Sequence, residues 1–364
     1  MARLGYFFIA FPYLFGTPFF LGIQPWALIV CATYLLFNYK NISLNVSQII
    51  FLVLSLFLFL TGILMIQNLS YGLLVSLICP ITFILFYKLT HQKLTLNFLN
   101  IVLSIYFLFG FLYIISPEIF ESIHKFLLSQ YRVELGELRG TGAAFFAPEP
   151  GLGAGILSMI TFAWLLRLPE KKSIQHLVTF ILICLCIFLT KSGTGYLFFF
   201  FIVAYYVFKL SDSKFATTLL SIFLIFLISS SIFFLYIYGF FENNHGFKAL
   251  AMILSGDIAE NSSVGIRIWS IIDAFKEMTV YEFGNIERMI NGEENIKLLN
   301  PGYPTNISRL VYAFGYFGIL YYFLLYQNLN TNFQLKVLAL FSVAILFPIS
   351  TPAIIFFLNK KYYD

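Results

Sequence analysis

From Phe98 to Ile115 the chain reads FLNIVLSIYFLFGFLYII, eighteen consecutive residues without a charge. As a helix this run rises about 27 Å, close to the hydrocarbon thickness of a bilayer. A helix also bonds every backbone N–H and C=O within itself, which lipid requires. Runs of the same kind precede it at 5–20, 24–38, 47–66 and 70–88, and follow it at 151–167, 176–190, 195–209, 216–240 and 308–326. A last block, 336–358, is interrupted by Phe347–Pro352 and reads as two short spans, for twelve in all.

Composition points the same way. Sixty percent of the 364 residues are hydrophobic and 11% are charged, with 46 Phe and 23 Tyr, and the mean hydropathy is +0.88. A water-soluble fold would have to expose too much of that apolar surface. The expected fold is therefore all-α: a polytopic transmembrane helix bundle forming one integral membrane domain over residues 1–364. Two long loops interrupt it, at 116–150 and 241–307. The first run lacks a small-x-small cleavage site followed by a polar chain, so it reads as a retained span. Cys31, Cys79, Cys184 and Cys186 all fall in apolar runs, which argues against a disulfide framework or a thiolate metal site in the loops. Cys184 and Cys186 would point about 200° apart on a helix.

Orientation follows from Lys and Arg in the short loops. With twelve spans, Arg3, Lys40, Lys88, Lys93, Arg167, Lys171, Lys172, Lys209, Lys214, Lys336, Lys360 and Lys361 share one side, and that side is expected to be cytoplasmic with both termini. It carries twelve cations against three acids, near +9. The outer side, with the two long loops, carries ten against fourteen, near −4. The basic balance thus serves topology and the anionic inner leaflet, and gives no reason to expect nucleic acid as a partner.

Both long loops hold patterned segments. In residues 263–278, apolar side chains recur at Val264, Ile268, Ile271, Phe275 and Met278 with charges between them, which predicts an amphipathic surface helix with Arg267 in its first turn. The first loop ends Arg139-Gly140-Thr141-Gly142-Ala143-Ala144-Phe145-Phe146-Ala147-Pro148-Glu149-Pro150-Gly151 and enters a span without a further polar stretch. Arg139 and Glu149 at membrane depth are costly unless paired or used. They could form a mutual salt bridge that ties down the loop. Alternatively, Arg139 clamps a phosphate with its planar fork while Glu149 supplies a positioned carboxylate. Beyond the second loop, Thr305, Asn306 and Arg309 lie within about one helical turn and could face one cleft. The blander alternative is that Asn306 caps the helix and Arg309 snorkels. Thr190-Lys191-Ser192-Gly193-Thr194-Gly195 has small residues that would let two spans pack closely.

Taken in order, these passages resemble a family. Arg139 followed by Phe146-Ala147-Pro148-Glu149-Pro150-Gly151 looks like the Arg and Phe-x-Glu-Pro passage of O-antigen polymerases, the Wzy family. Thr190–Gly195 is similar to their Thr-x-Ser-x-x-Gly turn. Arg267 with Trp269 resembles the helix opening their second loop, and Asn306 with Gly315 and Gly318 resembles the start of their next span. The likeness covers about residues 130–325. Related O-antigen ligases carry a His-Asn pair where this chain has Thr305-Asn306, and His245 is far away in sequence, so the departure favours polymerase over ligase.

The resemblance implies a glycosyltransferase of the bacterial inner membrane with a periplasmic active site, polymerising oligosaccharide repeat units carried on undecaprenyl diphosphate. It implies Arg139, Glu149 and Arg267 as catalytic residues, and Arg309, Asn306, Thr305 and Arg132 as residues that hold the substrate. The implied partners are lipid-linked glycans, membrane lipids and a polysaccharide chain-length regulator. No cofactor and no metal are expected, because arginines can neutralise a leaving diphosphate. Rival readings are an O-antigen ligase and a lipid-linked oligosaccharide flippase or transporter. A transporter would place ionisable residues within its spans along the substrate path. Metal-dependent lipid-sugar glycosyltransferases have an acidic first outer loop, and around Gly22 there is no acid.

Overall fold

A computed structural model describes residues 1–15, 24–65, 71–128, 142–169, 173–210, 270–272, 274–275, 306–346 and 351–363. Every regular element among these residues is helical. In chain order the α-helices are α1 (Ala2–Ala10), α2 (Trp26–Phe37), α3 (Val46–Met65), α4 (Tyr71–Thr90), α5 (Leu96–Ile115), α6 (Pro117–Leu127), α7 (Pro150–Arg167), α8 (Ile174–Leu189), α9 (Gly193–Leu210), α10 (Asn306–Phe314), α11 (Tyr316–Asn328) and α12 (Phe333–Phe341). Three are long and apolar enough to cross a membrane: Val46–Ile63 within α3, Leu96–Ile115 and Pro150–Arg167. Shorter apolar helices occupy Trp26–Phe37, Ile174–Leu189, Thr194–Val207 and Phe333–Leu346.

Polar residues at the helix starts satisfy amide groups that would otherwise lack partners. Asn45 and Gln48 exchange side-chain and backbone bonds at the start of α3, at 2.8 and 3.2 Å. Ser173 and His176 form the same reciprocal box before α8. Thr95 accepts from the Phe98 amide at 3.2 Å and opens α5.

Three apolar runs fold differently from their sequence reading. The helix in the run 5–20 stops at Ala10. Proline at 12 disfavours helical backbone at Phe11, which takes φ −128° and ψ 65°. The run 308–326 is two helices, because Gly315 adopts φ 52° and ψ −126° between α10 and α11. The last block continues α12 into a π-helical turn at Ser342–Leu346, and its second part, Pro352–Phe357, is a 3₁₀ helix rather than a second α-helical span. The run 216–240 lies outside the described residues. Of the expected surface helix 263–278, residues 270–272 and 274–275 are described and are helical. Their buried positions are Ser270 and Ala274, while Phe275 is exposed, so the small side chains face the protein there.

The described residues divide into two compact units. One draws on the chain ends, within Met1–Pro12, Thr17–Leu94 and Ile258–Asp364, and the other on the middle, within Tyr13–Gly16 and Thr95–Asp257. In the terminal unit α3 packs on α4 and α11, and α2 packs on α1 and α4. Tyr321 donates to the Leu77 carbonyl at 2.8 Å, just ahead of Pro80 within α4, and its ring meets Phe51 edge-on at 5.0 Å. In the central unit α7 is more deeply buried than α5, at 72% against 33% of the apolar stretch. Trp164 Nε1 donates to Asn100 Oδ1 at 2.8 Å and joins α7 to α5. Phe180 of α8 stacks on Tyr206 of α9 at 3.8 Å. Ile101, Leu108, Phe111 and Ile115 of α5 are exposed, as are Ile174, Val178, Ile181 and Leu185 of α8. Apolar faces of that extent require a non-aqueous surround.

Candidate functional site

In the central unit an irregular passage, Gly142–Glu149, leads into α7. Gly142 has φ +89° and Phe145 has φ +51°. The passage is fixed at its start by the end of α8. The Ala143 amide donates to the Leu189 carbonyl at 2.8 Å, an acceptor in the last turn of α8, where the helix supplies no partner of its own. A Cβ at position 142 would stand 2.3 Å from the Thr190 carbonyl oxygen, so only glycine fits. Further along, the Ala144 carbonyl approaches Gly153 so closely that a Cβ there would lie 2.3 Å away.

Glu149 is the N-cap of α7, with extended backbone at φ −140° and ψ 146°, and Pro150 takes the first helical position. Proline fits there because its missing N–H would have no helical partner. The Glu149 side chain is half-buried. A carboxylate at a helix N-terminus is favoured by the helix dipole.

The Thr190–Gly195 turn lies against the same passage. Thr190 is buried and donates from Oγ1 to the Ile187 carbonyl at 2.7 Å. Ser192 Oγ accepts from the Gly195 amide at 2.9 Å and sits 3.2 Å from Thr190 Oγ1. A Cβ at Gly195 would be 2.8 Å from Thr190 Oγ1 and 3.1 Å from Ala154 Cβ. The small residues therefore bring the start of α9 against the start of α7. Gly151, two residues after Glu149, faces Thr194 Oγ1 across 3.6 Å measured from its would-be Cβ.

Beneath the passage is an aromatic floor. Phe146 stacks on Phe109 at 4.4 Å and meets Tyr106 edge-on at 5.1 Å. His124, on α6, is 2% exposed and stacks on Phe120 at 5.5 Å. Its Nε2 lies 3.1 Å from the Ala147 carbonyl. A carbonyl only accepts, so the ring carries its proton on Nε2. Burial pushes the His124 pKa down to about 4, outweighing the Ala147 and Phe145 carbonyls, which favour the charged ring.

Among the residues named from sequence, Glu149 is the member of this arrangement that is described. Arg132, Arg139, Arg267 and Thr305 lie outside the described residues. In the terminal unit Asn306 begins α10 and Arg309, half-buried, follows in its first turn. Ser308, between them, is buried and accepts a hydrogen bond from Ser270 at 3.4 Å. The chain then turns sharply at Gly315, and a Cβ at Gly318 would lie 2.4 Å from the Leu310 carbonyl. Among the described residues no group of three or more His, Cys, Asp or Glu could hold a metal ion.

Sequence reading overlooked His124, and took Thr190–Gly195 both as a packing element and as a turn similar to one of the polymerase motifs. The available signal for His124 was its place one turn after Phe120 on a strongly amphipathic helix, these two being the buried positions of α6. No protein-family profile, curated protein or solved structure matches the chain.

Proposed function

We propose that this chain is a glycosyltransferase of the bacterial inner membrane that polymerises undecaprenyl-diphosphate-linked repeat units into O-antigen or a related surface polysaccharide. In this reading it is a polytopic bundle of about twelve spans, both termini are cytoplasmic, and the loops 116–150 and 241–307 are periplasmic. One observation carries the proposal. The two passages that resemble polymerase motifs, at 139–151 and 190–195, lie apart in sequence, yet Gly142–Ala143 docks on Leu189–Thr190 and Gly151 meets Thr194. The shared junction lies beside the half-buried Glu149, which supports one site built from both passages.

The chemistry is a displacement at the anomeric carbon of the growing chain. The bond from that carbon to the diphosphate oxygen breaks, and the diphosphate leaves with the electron pair. A hydroxyl of the acceptor sugar forms the new glycosidic bond and gives up its proton. Glu149 is suited to orient that hydroxyl or take the proton. Arg139 and Arg267 neutralise charge on the departing diphosphate as fixed donors do, which removes the need for a metal. Arg132, Thr305, Asn306 and Arg309 hold the lipid-linked substrates. Residues 270–272 are helical, and Ser270 donates to Ser308 beside Arg309 at the start of α10, which supports the second loop and Arg309 acting on one substrate.

Deleting the gene in its host tests the reading. The lipopolysaccharide ladder is expected to collapse to a single repeat and to return with the wild-type gene. An unchanged ladder defeats the proposal, and loss of all repeats from the lipid A core points to a ligase instead.

A further inference from the structure

We propose that one end of the terminal unit is a docking surface for the headgroups of anionic lipids, a property that stands apart from the polymerase reading. Several contacts gather the cations there. Tyr6 is hydrogen-bonded to Thr90 at 2.9 Å, so Arg3, less than a turn before Tyr6, lies at the end of α4. Lys88 donates to the Ser43 carbonyl and to Gln48 Oε1, at 2.5 and 3.3 Å, which brings the Tyr39–Asn41 turn with Lys40 to the same end. Lys93 is in the turn that follows α4. The Tyr363 ring packs on Tyr87 and His91 at 5.1 and 5.7 Å and carries Lys361 with it. Tyr362 donates to Asn332 Oδ1 at 3.2 Å, at the start of the helix that holds Lys336.

Arg3, Lys40, Lys93 and Lys361 are exposed. The sequence has no Asp or Glu between residues 1 and 117 or between 295 and 363, so the described residues of this unit include no carboxylate. Lys88 is held by neutral acceptors, the Ser43 carbonyl and Gln48 Oε1, and Lys336 lies over the Tyr326 ring at 5.1 Å. No carboxylate among the described residues of this unit balances these cations, which leaves the surface complementary to an anionic headgroup layer. Lipid suits this surface better than nucleic acid, because exposed Phe37, Tyr39, Phe333 and Tyr362 stand among the cations. Aromatic side chains at that level sit in the headgroup and upper acyl region, while lysine stems reach up to the phosphates.

The test uses the full chain, purified in a neutral detergent and titrated with phosphatidylglycerol or phosphatidylcholine, with bound lipid counted by native mass spectrometry. Wild type is expected to retain phosphatidylglycerol preferentially, and the preference to fall with salt. Lys40→Gln, Lys93→Gln and Lys361→Gln together are expected to weaken retention roughly tenfold or more, since each cation near an anionic surface contributes appreciably. The three Lys→Arg substitutions should restore it, which separates lost charge from lost folding. Equal retention of the two lipids, wild-type retention by the triple Gln variant, failure of the Arg variant to restore it, or displacement of the lipid by an equimolar RNA oligonucleotide would each overturn the proposal.

Discussion

His124 Nε2 donates a hydrogen bond to the Ala147 carbonyl across 3.1 Å, and that bond joins α6 to the passage that carries Glu149. The ring is 2% exposed and stacks on Phe109 and Phe120, and Phe109 in turn stacks on Phe146. His124→Gln, whose amide nitrogen can reach the place of Nε2, is expected to keep near wild-type abundance and turnover. His124→Phe keeps the stacking but strands the carbonyl, at a cost of about 1–3 kcal/mol. It should lower turnover more than it raises the acceptor concentration needed for half-maximal rate. Equal behaviour of the two variants would show that the hydrogen bond is idle.

The same residue sets a pH dependence. Its folded-state pKa, about 4, lies below the ordinary value of 6.5. Between these values the unfolded chain binds more protons, so stability rises with pH through that window. The contribution is complete above pH 6.5 and is lost as pH falls towards 4, on the order of 3 kcal/mol in total. Thermal unfolding in detergent from pH 7 to pH 4 should therefore show a steeper loss for wild type than for His124→Gln. Parallel curves would contradict the assignment.

Glycines near one another in this passage should differ sharply in tolerance. Gly142→Ala meets the Thr190 carbonyl at 2.3 Å and forces a side chain into positive φ, a strain that alone costs about 2 kcal/mol. It is expected to reduce membrane abundance strongly. Gly153→Ala, 2.3 Å from the Ala144 carbonyl, should do the same, whereas Gly151→Ala makes an ordinary contact at 3.6 Å and should be tolerated. Quantitative blotting of the three variants checks the order.

Arg139 and Glu149 carry the sharpest functional prediction. If Arg139 stabilises charge growing on the diphosphate, Arg139→Ala should lower turnover by roughly 10² or more with abundance unchanged. Arg139→Lys should also be poor, because an ammonium lacks the two-pronged geometry. A salt bridge that only ties down the loop predicts loss of abundance in Arg139→Ala, and its recovery in Arg139→Ala combined with Glu149→Ala. A wild-type ladder from that double variant defeats the catalytic role.

Cysteine labelling of intact cells should mark positions 137 and 291 from outside and leave 171 and 360 protected, as short-loop charge dictates. Labelling of position 171 from the outer face would reverse the proposed orientation. Polymerisation by the purified chain should survive a chelator, since the proposed mechanism neutralises the leaving group with arginines rather than with a metal held by converging carboxylates. Loss of activity restored by magnesium would argue for a metal.

The sequence by itself determined that the described residues are helical and placed the long apolar helices α3, α5 and α7, because eighteen uncharged residues such as 98–115 leave the backbone no partner but itself. It also began a span at 151, directly after Pro150, and the helix there starts at Pro150. Only tertiary structure decided that Gly142 stands against Thr190, that His124 rather than a nearer residue holds Ala147, and that the run 308–326 breaks into two helices at Gly315. Hydropathy counts apolar side chains along a line and registers neither a backbone carbonyl arriving from another helix nor a glycine with positive φ inside an unbroken apolar run. Those features depend on which helix ends come together, and no local pattern in this chain encodes that.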